Sequence, residues 1–375
     1  MMARGGKATS NDGKTLPRKD LLAALETVAP AVAAKSPLEA LMCVWFNGDT
    51  LMAFNDVIGI TVPFKSPFKG GMNGALLTGF LSHSGADTVS FEEVEGEDGA
   101  LMRMKAAGAK LEAGLLPLSA SVWDQPEVTG KPTRTIGNDF LVMLETVMLS
   151  AGRDTSVQDQ LGVTFIPDKD DLYAYTTDSA SITEVRGKLP SGYKLKRVCI
   201  PSDFCELVRK LCKKGGKLFV SESEVNAIND DGVRIFGRMI NVNKPYKFFD
   251  TMDDTLAKPC FQKVPDQFPN AIERALVLLA GLPGETLEME VKNGELILYT
   301  KSGLGELDDR MDFGKHPNIR VNVDPAIIKR VLPVSNPDED ADKKKKDDPM
   351  KMMLTDKAAV FQIGTFTYLA STRLV

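Results

Sequence analysis

Histidine is almost missing from this chain. Only His83 and His316 occur in 375 residues, and they lie too far apart in the order of elements to expect a shared metal or catalytic pair. His83, at a helix end before Ser-Gly, reads as a surface or capping residue. No GxSxG, P-loop, HExxH or strand-following GxGxxG occurs, so the common hydrolase, nucleotide-binding and zinc-protease constellations are absent. Acidic pairs such as Asp253-Asp254 and Asp308-Asp309 fall in polar stretches and read as solvated charge. Cysteine is scarce and odd in number. Cys43, Cys199, Cys205, Cys212 and Cys260 form no CxxC pair, which argues against a disulfide framework or zinc site and for a reducing cytosol. Long apolar runs are lacking too, with nothing near the roughly 20 residues that span a bilayer. The residues up to Lys14 are small, polar and basic, an arm rather than a signal peptide. The expectation is a cytoplasmic protein without cofactor, metal or membrane contact.

What is present fits an ordinary globular protein of two or three domains, with 43% hydrophobic and 26% charged residues. A net charge of −5 excludes a uniformly basic nucleic-acid binder. It leaves room for basic charge gathered on one surface.

Along the chain one pattern recurs. Pro17 opens a helix to about Ala29, with Leu21, Leu22, Leu25 and Val28 at helical spacing. Two strand-like runs, 41–46 and 50–60, flank Asn47-Gly48-Asp49, a hairpin signal. A second helix is expected over 71–83, then strands near 88–94, 100–104 and 111–118. The order restarts with Asn138 capping a helix to Leu149, a hairpin (162–166 and 172–177), a helix over 202–214, and strands at 217–220, 225–228 and 233–240. A third round has Asn270 capping a helix to Leu279, a hairpin (287–291 and 295–299) turning at Asn293-Gly294, and Asp324-Pro325 starting a helix that ends near Pro333. Three short strands follow, 350–354, 359–363 and 366–370, with 371–375 as an exposed tail. Corresponding hairpins and second helices recur about every 125 residues, the mark of a repeated unit. The reading is α+β: an arm (1–16) and three helix–hairpin–helix–sheet domains at 17–130, 131–255 and 256–375. The charged stretch 336–349 is a solvated loop insert of the third.

Positive charge concentrates on second helices. On a helix over 202–214, Arg209, Lys210, Lys213 and Lys214 fall within about 140° of one another. Phe204, Cys205, Leu207, Val208, Leu211 and Cys212 take the opposite side. Complementing the helix dipole accounts for one or two of these cations, not for a stripe of four. Lys329 and Arg330 sit on the third repeat's second helix, while Lys35 and Arg153 follow first helices. Arg18 and Lys19 occupy the unfavourable first turn of theirs. The pattern points to a polyanion-facing surface. A lack of any recognition helix or zinc finger suits contact without sequence readout.

The wording of the C-terminal stretch, Met352-Met353-Leu354-Thr355-Asp356 followed by a Val/Gln/Ile strand and a tail ending Arg-Leu, closely resembles the bacterial DNA sliding clamp, the β subunit of the replicative DNA polymerase III. The 28–38 loop with Lys35, and Leu172–Asp178 with its terminal Thr-Asp, resemble the same family. The resemblance implies the DNA clamp fold, with helices lining a ring and sheets outside. Two chains would close head to tail around duplex DNA, touching phosphates through Lys35, Arg153, Arg209, Lys210, Lys213, Lys214, Lys329 and Arg330. It further implies a non-catalytic processivity factor. A groove at Thr177, Ser179, Ile182, Pro245, Ala370, Ser371, Thr372, Arg373 and Leu374 would take peptides of the polymerase, the clamp loader and other clamp-binding proteins. Val277 and Leu278 fall where the family's dimer interface lies, though core burial would serve them equally. Where family members commonly carry Gly-His-Arg after Thr-Asp, this chain has Ser179-Ala180-Ser181, and its tail lacks the usual Met and Pro. Such a divergent member fits a phage-encoded clamp serving its own polymerase. The alternative is a monomeric three-repeat scaffold or hydrolase that shares the architecture.

Overall fold

The computed structural model describes residues 14–97, 99–123, 127–128, 130–152, 160–189, 197–241, 254–280, 286–334 and 349–375. The arm through residue 13, Arg153, Pro245 and nearly all of the charged insert lie outside the described residues.

By contacts the chain divides into two compact units, Met1–Lys131 with Asn226–Gly237, and Pro132–Val225 with Arg238–Val375. In the first, helices α1 (Arg18–Val28) and α2 (Gly74–Ser82) pack together, and α1 lies on the strands Thr50–Phe54 and Ile58–Pro63. Leu21, Leu25 and Val28 form its buried stripe, as their spacing predicts. Asn73 caps α2 by accepting the Leu76 amide at 3.0 Å. That helix starts three residues later than expected because Gly71 is still paired with Trp45 in a strand. A Cβ at Gly71 would stand 2.7 Å from the Trp45 ring. The Asn47-Gly48-Asp49 turn joins Cys43–Asn47 to Thr50–Phe54, with Gly48 at φ +94°. The strand Arg234–Arg238, expected with the second repeat, pairs with Ile58–Pro63. Phe236 explains this placement: it joins Trp45, Phe54 and Trp123 in one buried cluster, where Trp123 stacks on Phe54 at 5.2 Å between centroids. A separate sheet has the order Lys14–Pro17, Thr88–Gly96, Gly99–Ala106, Ala109–Gly114. Residues 14–16, read as arm, are thus strand.

The second unit holds two further helix pairs. Helix α3 (Asn138–Val147) packs on α4 (Ser202–Leu211), and α5 (Phe268–Leu279) on α6 (Pro325–Lys329). Its main sheet runs Val198–Pro201, Gly162–Asp168, Asp171–Thr177, Ser181–Lys188, Phe366–Leu374, Ile319–Val323, Leu287–Lys292, Glu295–Ser302, Gly305–Asp312. Asn293 and Gly294, at φ +55° and +83°, make the tight turn their identities predict. Asn138 is the first residue of α3 rather than its cap, and α5 starts at Phe268, before the expected Asn270. Pro269 accounts for the earlier start: its fixed φ suits a first turn, and fully buried Phe268 anchors it. Asp324 caps α6 as expected, its Oδ1 accepting the Ala326 amide at 2.8 Å. The supposed tail is not free. Thr372, Arg373 and Leu374 continue the last strand and pair with Val323, Asn322 and Val321, which satisfies backbone groups that an exposed tail would leave to water.

His316 is buried, accepting the Leu354 amide on Nε2 at 3.0 Å while Nδ1 lies 2.8 Å from the Pro317 carbonyl. Only the neutral ring with its proton on Nδ1 satisfies both contacts. Burial pulls its pKa below the ordinary histidine value, and the Pro317 contact opposes this less strongly. As pH falls through about 6.5 the unfolded chain therefore binds a proton that the native chain refuses, and stability drops. His316→Gln should remove that component, at most about 1.4 kcal/mol per pH unit. Urea midpoints measured between about pH 7 and pH 5 test this, and parallel curves for the two proteins would refute it.

Candidate nucleic-acid interface and partner groove

Helix α4 is shorter than its charge pattern suggests. It ends at Leu211, and Cys212, wholly buried, caps it by donating its amide to the Val208 carbonyl at 2.9 Å. Gly215, at φ +123°, then turns the chain into the next strand. Arg209 and Lys210 therefore lie on the helix, while Lys213 and Lys214 lie in the exposed turn beyond it. The stripe of four cations becomes two on the helix and two in the turn. The apolar side is as expected, with Phe204, Cys205, Leu207 and Val208 buried.

Acidic partners on first helices are the feature that helical-wheel reasoning missed. Arg209 meets Glu145 of α3 at 2.8 Å, and Lys329 of α6 meets Glu273 of α5 at 2.9 Å. In each pair a first-helix glutamate faces a second-helix cation. Arg330 is also engaged, bonded to Asp178. Lys35, Lys210, Lys213 and Lys214 are exposed. Arg18 has an internal role: its guanidinium donates to the carbonyls of Ala86 at 2.8 Å and Leu81 at 3.0 Å, closing the C-terminal end of α2.

The groove residues gather only in part. Ile182 pairs with Leu369 across the strands, and both pack with Tyr175, Met353, Ala358 and Val360. Partly buried Ile166, Leu256 and Phe261 extend this apolar surface. Their place beside Ile182 was not legible, since each reads as ordinary core until the strands are paired. Ala370 is buried between Ser181 and Ala359. Thr177 is buried and donates its hydroxyl to the Ser181 carbonyl at 2.9 Å. Ser179 is exposed at φ +70°, and Ser371 donates its amide to the Ala180 carbonyl at 2.9 Å. Thr372 stays tied to this neighbourhood, donating its amide to the Lys357 carbonyl at 3.0 Å and its hydroxyl to the Thr355 carbonyl at 3.1 Å, while Arg373 and Leu374 run on along Ile319–Val323.

Asp178 organises the turn between the two strands. Its Oδ1 accepts from the Ala180 amide at 3.1 Å, the Ser181 amide at 2.7 Å and the Ser181 hydroxyl at 2.9 Å. Burial pushes this carboxyl up, but Arg330 and the Ser181 donors outweigh it and hold the group below the usual carboxylate range.

Of the interface residues, Val277 is 71% exposed and Leu278 half-buried. Leu304, also 71% exposed, lies in the hairpin turn whose Ser302 hydroxyl donates to the Leu278 carbonyl at 3.0 Å. Among the described residues, the strands Gly305–Asp312 and Ala109–Gly114 each end a sheet. No three His, Cys, Asp or Glu among the described residues cluster to hold a metal, and none of the helices described is long and apolar enough to cross a membrane.

Helix pairs on antiparallel sheets in this order make an α+β architecture, and it is the DNA clamp fold. Particular structures carry that statement. The DNA polymerase sliding clamp of Bacillus subtilis matches with a TM-score of 0.79 at 14% identity, over 96% of this chain and 98% of that one. The DNA polymerase beta subunit of Streptococcus pyogenes matches at 0.76 and 15%, over 96% and 99%. The DNA polymerase III beta sliding clamp of Bartonella birtlesii, solved bound to griselimycin, matches at 0.77 and 15%, over 96% and 99%. No family model and no curated protein matches the sequence.

Deleting 371–375 should lower stability by about 1–3 kcal/mol, since it removes the three pairs with Ile319–Val323, the Ser371–Ala358 pair, and the bonds of the Ser371 amide and of Thr372. Denaturant titration measures it, and an unchanged midpoint would mean that the tail hangs free.

Proposed function

We propose that the chain is the protomer of a sliding clamp that tethers a DNA polymerase to duplex DNA. The observation that carries this reading is a likeness to polymerase III beta clamps over 96% of the chain, leaving no substantial part for another fold. Fold alone does not fix function, so the reading also leans on charge and exposed surface. On it, domains 17–130, 131–255 and 256–375 form three clamp units per chain, and two chains close head to tail. Exposed Val277 and Leu304 beside the end strand Gly305–Asp312 suit a protein contact, with Ala109–Gly114 of a second copy as the partner edge.

Duplex contact falls to Lys35, Arg153, Arg209, Lys210, Lys213, Lys214 and Lys329, of which Arg209 and Lys329 also face glutamates. Cations shared with carboxylates bind phosphate weakly, which suits a ring that slides without reading bases. The apolar surface around Ile182 and Leu369 takes the partner peptide, with Ser371 at its margin; Pro245, outside the described residues, is kept as a proposed contact. The partners are the replicative polymerase, its clamp loader and other proteins carrying a clamp-binding peptide. The role is non-catalytic and cytoplasmic.

Native mass spectrometry at micromolar concentration should give a dimer. Radiolabelled protein loaded on nicked circular DNA should stay until the circle is cut and then run off. A monomer, or equal retention on linear and circular DNA, would reject the ring. In Lys210→Gln/Lys213→Gln the slope of log affinity against log salt should fall by about 0.9 for each phosphate that is no longer neutralised.

A further inference from the structure

Arg330 stands at the end of α6 beside Lys329, where sequence reasoning made both phosphate contacts. The two have different partners. Lys329 pairs with Glu273 across the helix pair, whereas Arg330 reaches from α6 to Asp178, 152 residues away in sequence. Asp178 spends one carboxylate oxygen on the Ala180 and Ser181 amides and the other on Arg330. The turn it holds carries Ser179 in the left-handed region, a conformation that costs a non-glycine residue energy and persists only when its surroundings impose it. The same turn receives the Ser371 amide of the last strand on Ala180. A second tie runs in parallel: the Tyr368 hydroxyl, on that last strand, donates to the Ile327 carbonyl of α6 at 2.8 Å.

We infer that Arg330 is a positioning residue of the partner-peptide groove and not a phosphate contact: through Asp178 it fixes the 177–181 turn that forms the groove's rim. The assignment rests on the clamp reading of the groove. Arg330 gives its Nη1 to a half-buried carboxylate, so its charge is partly neutralised and its head is held toward the turn; drawing it to a phosphate would weaken the contact on which that carboxylate depends. The pair thus joins α6 to the groove rim, so the register of one follows the other.

Full-length wild type, Arg330→Gln, Arg330→Lys, Asp178→Asn and Lys210→Gln decide the matter through three readouts. The first is hydrogen exchange at the Ala180 and Ser181 amides. The second is the affinity of a nonapeptide selected from a random library on the wild type and displaced by Ile182→Asp. The third is the salt slope of binding to a synthetic DNA duplex. Arg330→Gln and Asp178→Asn should each speed the exchange and weaken the peptide about tenfold, roughly the loss of one charge-assisted bond, with the salt slope unchanged. Arg330→Lys should restore part of both, and Lys210→Gln should alter the salt slope alone. A slope reduced by about 0.9 in Arg330→Gln, with exchange and peptide affinity intact, would return Arg330 to the DNA-facing cations. No change in any readout would overturn the assignment equally. If the wild type binds neither duplex nor any Ile182-dependent peptide, the clamp reading fails, while the exchange data still decide whether Arg330 holds the turn.

Discussion

The last strand, Phe366–Leu374, is the constraint on which most of the second unit depends. Its backbone pairs with Ala358–Ile363, with Ser181–Lys188 and, beyond Ser371, with Ile319–Val323. Phe366, Tyr368 and Ala370 are fully buried and Leu369 nearly so, at about 1.5–3 kcal/mol for each large apolar side chain. Tyr368 adds a buried hydroxyl bond to α6, and burial pushes that phenol up to about 12, so it stays a donor at any physiological pH. One strand thereby fixes three neighbours, a helix and the edge of an apolar surface. A shift of one residue in its register would exchange the buried Tyr368 and Ala370 face for the Leu369 face, so the register cannot slip without cost.

Charge is arranged with similar economy. A protein of net charge −5 can meet a polyanion, as the proposed function requires, only by placing its cations locally, yet bare cations on adjacent helices would repel one another. Glu145 against Arg209 and Glu273 against Lys329 relieve that repulsion. Both pairs are substantially exposed, so each adds little to stability, about 0–1 kcal/mol. Their larger effect is on the field the helices present. Half-neutralised cations favour loose, salt-sensitive contact over a grip on particular phosphates.

Much of the fold was legible because the signals were local. Asn293-Gly294 and Asn47-Gly48 announced their hairpins, Asp324-Pro325 its helix start, and the Leu21–Val28 spacing its buried face. Where reading failed, a tertiary contact won. Helix α4 stops early because Cys212 is pulled into the core, and α2 starts late because Gly71 lies beneath Trp45. Arg18 looked misplaced at a helix start until the end of α2 and the turn after it supplied the Leu81 and Ala86 carbonyls that it bonds. The site was less legible than the fold. Ile182 could be named from resemblance, but Ile166, Leu256 and Phe261 join it only through pairing between distant strands. Arg330 could not be separated from Lys329 by spacing at all, because its partner lies 152 residues away.

Ser179 shows why so little sequence identity can carry the same architecture. In the resembling family a glycine commonly follows Thr-Asp, and here the residue in that place takes φ +70°, a region glycine enters without penalty. The serine meets that cost with a bond a glycine lacks. Gln160 donates to its hydroxyl, beside the backbone bond from the Ser179 amide to the Thr177 hydroxyl at 3.2 Å that a glycine could also make. The turn rests on Asp178, which caps it, and on Arg330, which bonds Asp178. The turn's geometry is held here by hydrogen bonding rather than by a glycine. Ala180 and Ser181 in place of histidine and arginine make this rim smaller and uncharged. On the proposed function, a peptide bound here would draw its affinity from the apolar floor around Ile182 and Leu369.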